Sequence, residues 1–396
     1  MRHATMNKRP RHILPLIVLA QFAGTSLWFT GNAVLPELKE TLLLSTYALS
    51  FVTSAVMGGF IAGTLFFAIL SIADRFSPSK VFLISCLAGS FFNLGVVWFA
   101  NDSVSLFVFR FLTGFCIAGI YPVGMKIAAD WYEKGLGKAL GFLLGSLVLG
   151  TAFPHYLRDR DLELPWKEVL YFTSLFAIIG GLIVNFFVGN GPFRKKSGGF
   201  RWNAIGIIFK STSWRKAAFG YFGHMWELYT FWGFLPVIIA LYAGESFRAI
   251  NIPFVCFMII ATGSISCVAG GYISLGVGSA AVARTALAIS FVCCLLSPFL
   301  FDLPWVFFIA YLVIWGIAVI PDSPQFSTLV ANHAPPELKG TALTIYNSIG
   351  FTISTISLIV MDYVFHSDGL LGGKNAFVIL AIGPVAGLIG SRKMRG

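Results

Sequence analysis

A histidine and a glutamate, His224 and Glu227, sit three residues apart inside an apolar run covering residues 217–241. A charged side chain in hydrocarbon costs about 2.5–3.5 kcal/mol on insertion scales, so each such group calls for a task or a partner. A carboxyl that alternates between a dry interior and water takes up and releases a proton. An imidazole titrates near neutrality and can relay it, and a spacing of three puts both groups on one helix face. The competing reading is structural, with Glu227 paired to an arginine and locking two helices. Asp322 is a second buried acid, in Ile320-Pro321-Asp322-Ser323-Pro324-Gln325. Prolines remove backbone donors, and a broken helix at membrane depth is tolerated where it lines a cavity. Asp322 is therefore part of a proton site, or half of a gate near the cytoplasmic side that closes against Lys126 or a loop. Arg110 cannot shed its proton and must meet an anion, a carboxylate or carbonyls. Its planar fork suits an anionic substrate. Glu227, His224 and Asp322 are thus candidate proton-coupling groups, and Arg110 is a candidate substrate contact.

Neutral groups fill out the site. Gln21, Trp28 and Asn32 lie on the first apolar run, Tyr121 follows Arg110, and Tyr229 and Trp232 follow Glu227. Gln325 follows Asp322, and Tyr346 and Asn347 lie on a later run. Together they could sandwich a planar or apolar solute and hydrogen-bond it. For each aromatic taken alone, packing or an interfacial belt is the commoner role.

The elements that carry these residues follow from composition. Of 396 residues, 57% are hydrophobic and 11% charged, and the mean hydropathy is +0.81. A soluble domain carries about 25% charged residues, so the solvent for most of this chain is lipid. Apolar runs of the length that spans a bilayer recur twelve times, at 13–36 (TM1), 45–71 (TM2), 80–100 (TM3), 104–127 (TM4), 137–156 (TM5), 168–188 (TM6), 217–241 (TM7), 250–275 (TM8), 281–301 (TM9), 304–328 (TM10), 340–361 (TM11) and 374–391 (TM12). The expected fold is an all-α polytopic membrane protein. A β-barrel would show alternating ten-residue strands instead. The basic N-terminus precedes a run too long for a signal peptide, so TM1 is expected to be retained.

Residues 189–216 form a basic connector with Arg194, Lys195, Lys196, Arg201, Lys210, Arg215 and Lys216 and no acid. It divides the chain into an N-terminal six-helix bundle (1–188) and a C-terminal one (217–396). With both termini inside, 21 Lys/Arg fall in cytoplasmic segments and six outside. The positive-inside rule therefore puts the termini and the connector in the cytoplasm, and the basic connector against anionic head groups. The net charge of +11 is sorted by loop in this way and does not indicate nucleic acid. The halves also repeat. Leu35-Pro36 matches Leu235-Pro236, residues 71–77 align with the loop at 271–278, and Gly137-Lys138-Ala139-Leu140 matches Gly340-Thr341-Ala342-Leu343. Three matches in order, at offsets near 200, indicate a parallel duplication about an axis along the membrane normal.

The six cysteines all fall in apolar runs and lack metal spacing, so they are small core residues. No phosphate-binding loop, zinc spacing or nucleophile elbow is present. Neither a cofactor nor a metal nor an enzyme activity is expected.

The six-plus-six arrangement, the basic connector and Asp74-Arg75 between TM2 and TM3, with Lys80 following, resemble the major facilitator superfamily. Leu70, Ser77 and Pro78 stand where the family's loop motif has glycine, glycine and a basic residue. Arg110 and Gly114 in TM4 are similar to its Arg-x-x-x-Gly segment. TM5 has Gly141, Gly145, Gly150 and Pro154 but not the signature of drug/proton antiporters. The TM7 and TM4–TM5 regions are similar in style to bacterial nitrate/nitrite- or cyanate-type porters, without the long nitrate signature. The resemblance implies a cavity lined by helices 1, 4, 7 and 10. It also implies a cytoplasmic gate of Asp74, Arg75, Lys126 and Asp130, in which Arg75 pairs with Asp130 and Asp74 lies near the start of TM11.

The expected function is a secondary transporter in a bacterial inner membrane. It moves a small solute, with a lean towards an organic or inorganic anion, by alternating access, coupled to protons and acting as a monomer. The alternatives are an uncoupled facilitator, an exporter of amphiphilic or siderophore-like molecules, and a non-transporting membrane sensor. For the last, tails of about twelve and five residues offer little to signal through.

Overall fold

Proline and hydroxyl side chains decide where the membrane helices break. The computed structural model describes residues 10–132, 136–159, 162, 164–194, 204–246, 250–335, 338–392 and 394. Lys195, Lys196 and Arg201 of the expected connector lie outside the described residues. Eleven helices among the described residues are long and apolar enough to cross a membrane, and Ile13–Thr25 is a shorter apolar helix. No strand occurs among the described residues.

TM1 is split into Ile13–Thr25, Thr30–Ala33 and Leu35–Thr41. At the break Thr25 and Ser26 turn their hydroxyls back onto the Gln21 and Ala23 carbonyls, at 2.8 and 2.7 Å. Such back-bonding competes with the helical ladder. TM2 is Ala48–Ile69 and TM3 is Pro78–Trp98. TM4 opens at a capping box, where Asp102 accepts from the Ser105 N–H at 2.8 Å. The Ser105 hydroxyl and N–H hold the Asp102 carboxyl below the usual carboxylate range. TM4 then runs Ser103–Ile117, breaks, and resumes as Tyr121–Trp131. Pro122 explains the break, since it lacks a donor and its ring clashes with the carbonyl four residues back. TM10 breaks in the corresponding place, between Trp305–Ala318 and Asp322–His333, at Pro321. TM7 has no such break and runs Thr212–Ser246 through Pro236.

The remaining helices are TM5 Leu136–Leu157, TM6 Trp166–Ile183 extended by a π turn Val184–Val188, TM8 Ile252–Val277, and TM9 Ser279–Leu296. TM11 is Lys339–Phe365, and TM12 is the 3₁₀ stretch Gly373–Ala381 followed by Ile382–Gly390. A short helix, Ala204–Lys210, lies on TM7 and TM11.

Within the first bundle TM2 packs on TM4 and TM3 on TM6; within the second TM7 packs on TM10, TM11 and TM12. Small residues allow the closest crossings. Gly59 lies against the Phe111 carbonyl and Gly114 against the Val56 carbonyl, so a Cβ at either position would collide with backbone. The two bundles meet along TM2–TM11 and along TM5–TM8. The TM2–TM3 loop and the two ends of the connector lie at one end of the bundles, the linker end; the opposite end is the far end.

Candidate functional site

His224 and Glu227 share TM7, but their partners differ. His224 Nδ1 lies 2.9 Å from Asp322 Oδ1, and both side chains are 1% exposed. Asp322 opens the second half of TM10, directly after the proline break. The break therefore puts a carboxylate at the first turn of a half-helix, where unpaired N–H groups and the helix dipole favour negative charge. The other imidazole nitrogen, His224 Nε2, is buried without a partner.

Glu227 lies one turn farther along and is enclosed between TM9 and TM10. Ser290 Oγ donates to its Oε1, and Trp315 Nε1 donates to the same oxygen at 2.5 Å. Both donors are neutral. Among the described residues no arginine or lysine pairs with Glu227, so the arginine lock weighed from the sequence does not form there. Three residues of helix turn through about 300° at 3.6 residues per turn. That 60° offset, with a rise of about 4.5 Å, sends Glu227 to Trp315 and Ser290 and leaves Asp322 to His224. Trp315 and Ser290 were not legible as site residues, because both are single neutral groups in apolar runs.

Around His224 lies a phenolic cluster. Tyr221 is 5.7 Å from the imidazole, ring to ring, and stacks on Tyr346 at 3.8 Å. The Tyr221 hydroxyl donates to Asn347 Oδ1 at 3.2 Å, and the Tyr346 hydroxyl lies 3.3 Å from Ser327 Oγ. Gln325 is buried on the same half of TM10. On the first bundle, Tyr121 is half-buried at the start of the second half of TM4. Gln21 is fully buried with neither end of its amide partnered, and it faces Gly124 of TM4.

An aromatic layer lies farther towards the far end and joins the bundles. Trp28 stacks on Tyr229 at 5.6 Å and meets Phe60 at 4.8 Å and Phe351 at 5.5 Å. Trp232 packs edge-on to Tyr229 at 5.6 Å. The Trp28 indole N–H is buried without a partner. His155 of TM5, which the sequence reading passed over, lies at this level, 6.4 Å from the Phe29 ring, with an unpartnered Nε2.

Arg110 is fully buried in the first bundle. It donates to the Trp28 carbonyl at 2.6 Å, the Leu27 carbonyl at 3.3 Å and Asn93 Oδ1 at 3.1 Å. It meets carbonyls freed by the TM1 break, and no carboxylate among the described residues. Asn32 is directed to TM2, donating to Thr53 Oγ1 at 2.7 Å.

At the linker end Lys126 Nζ is 2.7 Å from Asp74 Oδ1. Arg194, just after TM6, donates to the Asp74 and Phe76 carbonyls, and the Asp130 carbonyl accepts from the Phe193 N–H. No Arg75–Asp130 ion pair occurs among the described residues, and Asp74 is held by TM4 in place of TM11. The cause is local. Ser71 takes a left-handed conformation, φ +52°, which starts the one-turn helix Ile72–Arg75 and leaves Asp74 within reach of Lys126. One further buried acid was missed, Asp362 of TM11. The expected span ended at residue 361, whereas the helix runs to Phe365.

Three comparisons with known proteins bear on this arrangement. The chain is 28% identical over 247 residues to the uncharacterized protein Cj0987c of Campylobacter jejuni, covering 58% of this chain and 71% of that protein. Its fold is similar to a crystal structure of the human organic anion transporter MFSD10 (TETRAN), with a TM-score of 0.73 at 16% identity over 96% of this chain and 99% of the other. It is also similar to a bacterial homolog of the human lysosomal transporter Spinster, in an inward-facing and unoccupied conformation, with a TM-score of 0.70 at 14% identity over 96% of both chains. The Major Facilitator Superfamily model matches residues 17–358. Eleven helices long and apolar enough to cross a membrane and the shorter Ile13–Thr25 among the described residues, with breaks at TM1, TM4 and TM10 around a buried polar centre, fit a membrane transporter, and the chain belongs to the Major Facilitator Superfamily.

Proposed function

We propose that this protein is a proton-coupled secondary transporter working by alternating access, with its proton site on the TM7–TM10 face. The observation that carries the proposal is the His224–Asp322 pair, 2.9 Å apart and 1% exposed on each side, at the break of TM10. A buried acid–imidazole pair exchanges a proton with whichever solution reaches it and interacts differently with the surroundings in each protonation state. Glu227, held by Ser290 and Trp315, is the second acid one turn away and completes the coupling set.

For the solute, the groups with spare hydrogen-bonding capacity decide. Gln21, the Trp28 indole N–H and His224 Nε2 are unpartnered; Trp28 lies against Tyr229, Phe60 and Phe351, and His224 beside Tyr221, which stacks on Tyr346. Stacking surfaces with a few hydrogen-bonding points suit an aromatic or amphiphilic solute. Arg110, the basis of the lean towards an anion, is occupied by the TM1 carbonyls and Asn93. Its proposed role is to hold the TM1 break open. The fold neighbour named as an organic anion transporter keeps organic anions among the solutes to be screened.

The basic segments of the linker end support a cytoplasmic orientation for it, in the proposed setting of a bacterial inner membrane. The experiment is uptake into proteoliposomes of a solute found by ligand-dependent thermal shift, with and without an imposed pH gradient. Coupling predicts accumulation only with the gradient; equal uptake in both would sink it in favour of a facilitator.

A further inference from the structure

We infer that Asp159 and Asp362 form a pseudo-symmetric pair of latches holding the two bundles together at the far end. Three hydrogen bonds between described residues cross from one bundle to the other. One is a sulfur contact, Thr355 Oγ1 to Met57 Sδ at 3.7 Å. The other two use these acids.

Asp362, in the last turn of TM11, accepts from the Ser50 N–H at 3.1 Å through Oδ2. Ser50 lies in the first turn of TM2, where backbone N–H groups have no partner within their own helix. TM11 therefore caps a helix of the other bundle. His366 steadies the acid from one turn on, with Nδ1 at 3.2 Å from Asp362 Oδ1. On the opposite seam Asp159, just past TM5, accepts from Asn251 Nδ2 at 2.6 Å. Asn251 is the N-cap of TM8, and its own oxygen accepts from the Phe254 N–H.

The two contacts correspond through the duplication. Asp159 and Asp362 are 203 residues apart, the offset of the TM5 and TM11 openings, and Ser50 and Asn251 are 201 apart, the offset of the TM2–TM3 and TM8–TM9 loops. In each case a carboxylate at the end of the fifth helix of one bundle engages the start of the second helix of the other. Nothing in separate folding of a six-helix bundle requires this; the contact exists only across the seam. A helix N-terminus favours an anion, yet in water the same N–H groups are solvated at little cost, so the latch can release as well as hold.

The inference rests on the alternating-access reading, since a latch matters only if the far end opens. The test needs neither solute nor pH gradient, so a failure of proton coupling leaves it standing. Cysteines replace Leu43 and Leu370, far-end loop residues 89% and 95% exposed, and carry spin labels. The six native cysteines are buried. Distance distributions are then measured by pulsed electron–electron resonance in vesicles. Removing both acceptors (D159A/D362A) is expected to shift population from the short to a long distance, by about tenfold per lost charge-assisted hydrogen bond. The D159N/D362N pair keeps an acceptor oxygen at both positions and is expected to stay near the parent distribution. If the double alanine variant does not fold, the single alanine variants carry the test with half the shift. An unchanged distribution in monodisperse alanine protein overturns the latch. An asparagine pair as open as the alanine pair overturns the hydrogen-bond account of it.

Discussion

Replacing Arg110 by methionine separates an architectural role from a substrate role. The side chain keeps its length, but the donors to Trp28 O, Leu27 O and Asn93 Oδ1 are lost. A buried acceptor left without a partner costs about 1–3 kcal/mol, so three cost about 3–9 kcal/mol. Against this, no carboxylate among the described residues compensates the guanidinium, and removing an unpaired buried charge returns several kcal/mol of desolvation. The balance is a destabilisation on the order of a few kcal/mol, with the loss centred on the TM1 break. Arg110→Lys, which can satisfy one carbonyl but not both sides of the fork, should fall between the two. A thiol-reactive fluorophore reads the transition directly, because all six cysteines are buried until the bundle opens. Arg110→Met unfolding at or above the wild-type temperature while transport is lost would refute the anchoring role and return Arg110 to the substrate.

Further outcomes follow from single contacts. Glu227→Gln keeps an oxygen for Ser290 and Trp315, so thermal unfolding should change by about 1 kcal/mol or less, whereas concentrative transport should fail and solute exchange persist; unchanged accumulation would remove Glu227 from the coupling set. Gly114→Val drives a side chain into the Val56 carbonyl and should prevent a monodisperse peak on size exclusion, where Gly141→Ala, with open space around it, should not. Lys126→Ala breaks a pair whose side chains are 23% and 19% exposed, so solvent screening limits the cost to about 1 kcal/mol; a larger shift on thermal unfolding would mean that the loop carries more than a partly solvated ion pair.

The sequence reading reached the fold because hydrocarbon leaves few alternatives to apolar helices about twenty residues long. It placed Asp322 at a proline break for a local reason, Pro321 and Pro324 on either side. Tyr121-Pro122 carries the same kind of local signal for the matching break in TM4. The TM1 break has a weaker signal, two hydroxyl residues in an apolar run, and the group that takes up its carbonyls is distant: Arg110 on TM4. His224 and Glu227 look like a pair in one dimension. Sixty degrees of helix rotation gives them different neighbours, and those neighbours, Asp322 and Trp315, lie 98 and 88 residues away. Asp362 was missed through a boundary one residue short. The Asp362–His366 spacing of four, on one helix face, was the available signal.

The most direct measurement is luminal pH in proteoliposomes loaded with a pH-sensitive dye when a transported solute is added outside. With His224–Asp322 as the proton site, solute addition shifts luminal pH in the wild type and not in Asp322→Asn, while that variant still binds the solute in a thermal-shift assay. Proton movement of wild-type size in Asp322→Asn would contradict the assignment.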